Sequence, residues 1–335
     1  MLTLPARLGP LEAPTPPAGG DRRAEDRFLR LAFWHHSRTF SLATRLLPPR
    51  ERLPVATLYL YCRTVDTVAD ARSREVGIEA ARDELERMHG RLDATLAGRP
   101  PADGPNELLW RRLAEVHARY RLLPHALHQL LDGARWDLDG RPVTTRDDLL
   151  AYSDLVAGSV GAMMLPFLVR DRADIERLEA PARALGNAMQ ITNILRDVGE
   201  DARDLGRVYL PADALAEAGL DAAALAADDA PRAWTPYARE RYAALIEGLM
   251  ADAEALYTEA DAAVASLRAA ARPGVRAAAR MYREILNEVR AAGYDNLGRR
   301  AVVPTRTKLA RTLAADGYAR RRASLAPPAL RQVAG

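Results

Sequence analysis

Asp66 and Asp70 lie four residues apart in Tyr61-Cys62-Arg63-Thr64-Val65-Asp66-Thr67-Val68-Ala69-Asp70. Asp197 and Asp201 repeat that spacing in Asn193-Ile194-Leu195-Arg196-Asp197-Val198-Gly199-Glu200-Asp201. On a helix, positions i and i+4 project from one face, so each pair can present two carboxylates to one solvent pocket. Asn193 extends the second pair in phase, giving an amide and two carboxylates at i, i+4 and i+8. Oxygen ligands clustered in this way suit Mg²⁺, which takes one or two carboxylates and completes its shell with water and substrate phosphate. Arg63 and Arg196 stand beside the two pairs, and guanidinium groups suit phosphate.

Spacing alone does not establish that chemistry. The chain holds 26 Asp in 335 residues, and random placement would give about two strict Asp-x3-Asp pairs. Two are found, so the weight falls on context. Both stripes border strongly apolar helical faces, where an unpaired carboxylate is costly. The plain alternative is solvated face charges or carboxylate–arginine ion pairs. His125 and His128, three apart with no further His or Cys close by in sequence, read as packing rather than as a metal site.

The elements that must position these residues are helices. From Ala24 onward, Phe28, Leu31, Ala32 and His35 recur at three- and four-residue spacing, as do Leu58, Cys62, Val65 and Ala69. Breaks are expected at Pro48-Pro49, Gly98–Gly104, Pro124, Gly140-Arg141-Pro142, Pro211, Gly219, Pro231, Pro273-Gly274, Gly293 and Pro304. Long alanine-rich amphipathic stretches fill Ala238–Ala271 and Val275–Ala292. Alternating strand-like runs are missing and no fixed-period repeat occurs, so one all-α domain is expected rather than a solenoid. Residues 1–23 read as a proline-rich disordered lead-in, 24–317 as the domain and 318–335 as a basic tail.

Composition narrows the function further. Hydrophobic residues make up 48%, enough for a sizeable buried core. Cys62 is the lone cysteine, so no intramolecular disulfide forms and a reducing cytoplasm is the simplest setting. Residues 299–335 carry eight arginines and Lys308 against Asp316, a local net of +8; with +3 overall, the body is left at −5. A mildly acidic body argues against a nucleic-acid-binding protein. The basic tail suits a phosphate or an anionic membrane surface, and Arg320-Arg321-Arg322 with Leu325 reads as a lipid contact or as a solvated end. The uncharged run Leu155–Val169 is too short to span a bilayer and is interrupted by Pro166, so it reads as a buried helix.

Five ordered blocks carry a family resemblance. The stretch from Gln190 through Asp201 to Gly206-Arg207-Val208-Tyr209-Leu210-Pro211 closely resembles the second aspartate-rich motif of squalene and phytoene synthases, and Asp66-Thr67-Val68-Ala69-Asp70 resembles the first. His36-Ser37-Arg38-Thr39-Phe40-Ser41, then Tyr152 to Gly161, and Ala278–Arg300 with Met281-Tyr282-Arg283-Glu284-Ile285-Leu286 agree in order. The likeness spans residues 28–312.

The resemblance implies an isoprenoid-synthase-type helical bundle around a deep apolar tunnel. It also implies a Mg²⁺-dependent (or Mn²⁺-dependent) prenyltransferase that couples two allylic diphosphates head to head through a cyclopropylcarbinyl diphosphate. By matching position, Asp66, Asp70, Asn193, Asp197 and Asp201 would hold the metal. Ser37, Arg38, Arg63, Arg196, Tyr282 and Arg299 would face diphosphate. Tyr59, Arg63, Tyr152 and Gln190 would act at or near the reacting carbons, where a ring face stabilises a cation. Thr44 and Ala56 would lie on the tunnel wall. Their small size favours two C20 substrates and phytoene as product, with no NADPH required; no Gly-x-Gly-x-x-Gly loop occurs. The alternatives are a C30 synthase using two farnesyl diphosphates and a non-catalytic scaffold relative, although neither aspartate stripe is lost. Thr67 and Ala69 depart from the acidic residues many members carry there, which bears on subfamily and not on the outer aspartates. A cytoplasmic enzyme, peripheral at the inner membrane surface, fits these expectations.

Overall fold

In the computed structural model every regular element among the described residues is a helix. The structure describes Pro17, residues 21–104 and 106–298, and Arg321, Arg322 and Leu325. The lead-in up to Gly20, Pro17 apart, and most of the basic tail, Arg320 included, therefore lie outside the described residues. The chain packs as two compact units. One comprises the chain to Arg141 with Tyr152–Gly186 and Glu259–Arg276; the other comprises Pro142–Ala151, Asn187–Thr258 and the chain from Ala277.

In the first unit the opening helix, Arg22–His36, starts two residues before Ala24 because Asp21 caps it, accepting from the Arg23 N–H at 2.9 Å. Its buried stripe of Leu29, Ala32 and Phe33 follows helical spacing. The helix Pro49–Thr67 opens on a proline, where no N–H is needed. Pro54 falls inside the same helix. It cannot donate to the Arg50 carbonyl, which instead meets the Tyr120 hydroxyl at 3.4 Å. Helix Ile78–Leu96 packs on Pro124–Leu138, and Glu107–Tyr120 packs on Pro49–Thr67. Leu58, Tyr61, Leu85, Trp110 and Leu127 are buried between them. Each large apolar side chain so placed contributes roughly 1.5–3 kcal/mol relative to exposure. Tyr61 keeps its hydroxyl satisfied by donating to the Leu127 carbonyl at 2.9 Å.

Pro166 does not interrupt its segment; it lies within the helix Ser159–Leu168. The continuous run Arg146–Leu168 is long and apolar enough to cross a membrane by length and composition, yet 61% of its apolar window is buried, as in a core helix. Close packing there depends on glycine. A Cβ at Gly161 would stand 2.1 Å from the Ala182 carbonyl oxygen, and one at Gly186 would stand 2.0 Å from that of Ala157.

The second unit is built on parts of the helices Asp174–Glu200, Pro236–Val264 and Arg272–Ala291. The fully buried Arg290 side chain binds Glu247 through Nη2 at 2.7 Å and Glu254 at 3.1 Å. Arg321 reaches Glu288 at 2.7 Å and Glu284 at 3.5 Å, and Arg322 pairs with Glu254. Both of these residues are engaged by carboxylates of the protein and not by solvent alone. They neutralise acids of the protein's own mildly acidic body.

Candidate active site

The first aspartate pair straddles a change of helix type. Asp66 lies in the last turn of Pro49–Thr67, and Asp70 lies in the π-helical segment Val68–Arg72 that follows. An α-helix turns once in 3.6 residues, so position i+4 overshoots i; a wider π turn reduces that overshoot and brings the two carboxylates more nearly into line. Asp66 is 3% exposed. Burial pushes its carboxyl up to about 7, Arg63 opposes the shift, and Asp70 and Asp137 add to it. The Arg63 Nε is itself buried without a hydrogen-bond partner. His36 is lowered to about 4 by burial and by Arg63, so it stays neutral near pH 7.

Other expected residues lie in the same unit. Ser37 caps the helix Arg38–Thr44, accepting from the Phe40 N–H at 3.2 Å. The Arg38 side chain lies outside the described residues. Tyr59 and Ala56 pack in one buried cluster with Phe33, against which Phe40 also packs; the Phe33 and Tyr59 rings are 4.7 Å apart. Thr44 is buried and donates to the Phe40 carbonyl at 2.9 Å. Tyr152 is fully buried and donates to Asp137 at 3.1 Å. Asp137 escaped the sequence reading. Its signal was a buried acid between Trp136 and Leu138 on a largely apolar helix, and its charge bears on Asp66.

The second motif is arranged differently. Asn193 and Asp197 lie on the helix Asp174–Glu200, and Asp201 begins the π-helical segment Asp201–Leu205. All three are buried, as is Gln190. The Asn193 Oδ1 and Gln190 Oε1 atoms have no hydrogen-bond partner, a costly condition unless something binds there. Arg196 chelates Asp197, through Nε to Oδ1 at 2.7 Å and through Nη2 to Oδ2. Burial alone would lower the Arg196 pKa, but the Asp197 carboxylate outweighs it and holds the guanidinium charged. Tyr282 is buried beside this pair; burial raises its hydroxyl pKa. Arg196, Glu200, Arg203 and Asp204 line a recess of about 210 Å³ with Asn296 and Gly298. Arg299 lies outside the described residues.

No group of three or more His, Cys, Asp or Glu side chains converges as a metal site among the described residues. Each motif instead offers a carboxylate pair, and the second adds an orphaned amide oxygen, a donor set that fits Mg²⁺ completed by phosphate and water. His128 has a histidine neighbour that sequence proximity did not reveal. Its Nδ1 lies 3.3 Å from that of His89, and its Nε2 lies 3.0 Å from Asp93. His125 pairs with Glu179 at 2.8 Å.

Residues 34–307 match the squalene/phytoene synthase family. The chain belongs to that family. Members of the squalene/phytoene synthase family generally use Mg²⁺. A phytoene synthase of Rhodobacter capsulatus is 41% identical over 270 residues, covering 79% of this chain and 73% of that protein. One from Cereibacter sphaeroides is 38% identical over 278 residues, covering 82% and 74%. A solved dehydrosqualene synthase with bound ligand matches with a TM-score of 0.74 at 30% identity, covering 89% of this chain and 97% of its own.

Proposed function

We propose that this chain is a phytoene synthase, joining two geranylgeranyl diphosphates head to head and releasing two diphosphates. The observation that carries the reading is the level of identity to two bacterial phytoene synthases, 38% and 41%. Supporting it are two Asp-x3-Asp stripes, each at an α-to-π transition, with Asp66, Asp197 and Asp201 buried. The domain that carries the activity opens with the helix at Arg22 rather than at Ala24 and runs to residue 317, with 318–335 a basic tail.

Mg²⁺, when bound, supplies neutralisation of the charge that develops on the departing diphosphate. Asp66 and Asp70 would hold it in one unit, and Asn193, Asp197 and Asp201 in the other. Arg63, Arg196 and Tyr282, with Ser37, Arg38 and Arg299, orient the diphosphates by charge-assisted and neutral hydrogen bonds. Arg196, which chelates Asp197 in the unliganded chain, would offer the same guanidinium to phosphate oxygens of the substrate. Tyr59, Tyr152 and Gln190 stand near the reacting carbons, where ring faces and hydroxyls stabilise the allylic cation. A deep apolar tunnel keeps water from the cation in both the coupling and the ring-rearrangement steps. The final cation loses a proton, so no hydride donor is needed. The C40 product partitions into lipid, which suits a cytoplasmic enzyme in peripheral contact with the inner membrane.

A second reading has its own support. Phe33, Phe40 and Tyr59 crowd Ala56, and the dehydrosqualene synthase match is strong, both in keeping with a C30 product from farnesyl diphosphate. Incubation with Mg²⁺ and either the C15 or the C20 diphosphate, without NADPH, separates the two by mass spectrometry. Phytoene from the C20 substrate is expected. A C30 hydrocarbon alone would replace the first reading with the second. If the C20 reading holds, enlarging Thr44 and Ala56 together to Phe should cut C20 use, and unchanged C20 use would remove those residues from the tunnel wall.

A further inference from the structure

The ligand stripe Asn193, Asp197 and Asp201 has a counterpart displaced by two residues: Leu195, Gly199 and Arg203. Two residues correspond to about 200° of rotation at 3.6 residues per turn, so the counterpart lies on the opposite side of the helix. One short segment meets it at every turn. The Asn296 side-chain Nδ2 donates to the Leu195 carbonyl at 2.6 Å. The Gly199 N–H donates to the Asn296 carbonyl at 3.2 Å. Arg203 Nη2 donates to the Leu297 carbonyl at 2.6 Å.

The Leu195 carbonyl and Gly199 N–H are the two groups that an uninterrupted helix pairs with each other. Asn296 engages both, and it brackets Arg196, Asp197 and Val198. Its approach depends on glycine, since a Cβ at Gly199 would come within 2.2 Å of the Leu297 carbonyl oxygen. Its orientation is fixed as well. The buried Tyr242 hydroxyl donates to Asn296 Oδ1 at 2.7 Å, leaving Nδ2 to face Leu195. The turn so gripped opens directly into the π segment that carries Asp201.

We propose that Asn296, held by Tyr242, is a positioning residue that sets the spacing of Asp197 and Asp201 by clamping the back of their helix. It touches no reacting group; it acts through the backbone that presents the carboxylates. This rests on reading the second motif as a metal–diphosphate site. Groups that orient metal ligands from behind alter metal affinity by about 10- to 100-fold when removed.

The test is a Mn²⁺ titration of the full chain with inorganic diphosphate, followed by electron paramagnetic resonance, beside thermal unfolding in EDTA. Asn296→Leu keeps the volume and removes the donor; it should weaken Mn²⁺ binding about ten-fold. Tyr242→Phe removes only the orienting hydroxyl and should weaken it about three-fold, with unfolding in EDTA shifted by only a few degrees. Unchanged Mn²⁺ affinity in both folded variants overturns the clamp while leaving the metal-site reading intact. Should Asn296→Leu fail to fold, Tyr242→Phe decides by the same criterion. A wild-type chain that binds no Mn²⁺ with diphosphate overturns the metal-site reading and the clamp with it.

Discussion

The two aspartate motifs solve one electrostatic problem in opposite ways. In the first, burial and the neighbouring acids Asp70 and Asp137 leave Asp66 with a carboxyl pushed up to about 7, and Arg63 only partly offsets them. In the second, Asp197 is already chelated by Arg196, and the helix behind it is held at three successive turns. One motif holds a carboxyl that burial raises and that a nearby cation would lower; the other already holds a protein cation beside its carboxylate. Two motifs that each carry one carboxylate pair can therefore differ in how they respond to metal, to pH and to loss of an arginine.

The largest expected effect is common to both. Replacing Asp66 or Asp201 by Asn should lower kcat/KM for head-to-head coupling by about a thousand-fold, since metal neutralisation of a leaving group is worth several kcal/mol. Steady-state assays at saturating Mg²⁺ check it, and a loss at one motif only would break the symmetry of function. The next effect separates the two. Arg196→Met strands a buried carboxylate and should cost about 3 kcal/mol in urea unfolding with EDTA present, whereas Arg63→Met should cost less than half of that. Equal costs would contradict the contrast between them.

A pH dependence sharpens it. Asp66 has an ordinary value of 3.8 and is raised to about 7 when folded, so the folded chain takes up its proton first. Its contribution to stability is fully present below 3.8 and is lost as pH rises through 7. His36, lowered from 6.5 to about 4, runs the other way: its contribution is present above 6.5 and lost as pH falls through 4. The two slopes oppose each other over the shared interval, so the observable is the difference between wild type and Asp66→Asn. In EDTA, wild type should lose stability relative to that variant between pH 4 and 8. A flat difference would remove Asp66 from its strained position. The smallest effect sets the scale: Arg321→Ala, which breaks a partly exposed pair with Glu288, should cost less than about 1 kcal/mol.

The helices and the acidic stripes along them were legible because both depend on local periodicity. Leu58, Cys62 and Val65 mark a face whatever lies against it, and residues 193, 197 and 201 share one by geometry alone. One proline misled: Pro166, read as an interruption, lies within the helix Ser159–Leu168. Asp137, His89 and Asn296 were invisible for another reason. Each acquires its role from a residue distant in sequence, and no spacing rule joins Asn296 to Leu195 or His89 to His128. The basic run at Arg321 and Arg322 was legible as charge, but its partners Glu254, Glu284 and Glu288 were not.

The most direct measurement is a crystal structure of the protein with Mg²⁺ and a non-ionisable thiolodiphosphate analogue of the C20 substrate. Metal density should lie on Asp66 and Asp70 and on Asn193, Asp197 and Asp201, with Arg196 turned from Asp197 onto phosphate oxygens. An intact Arg196–Asp197 pair, with analogue bound and no metal at the second motif, would contradict the account.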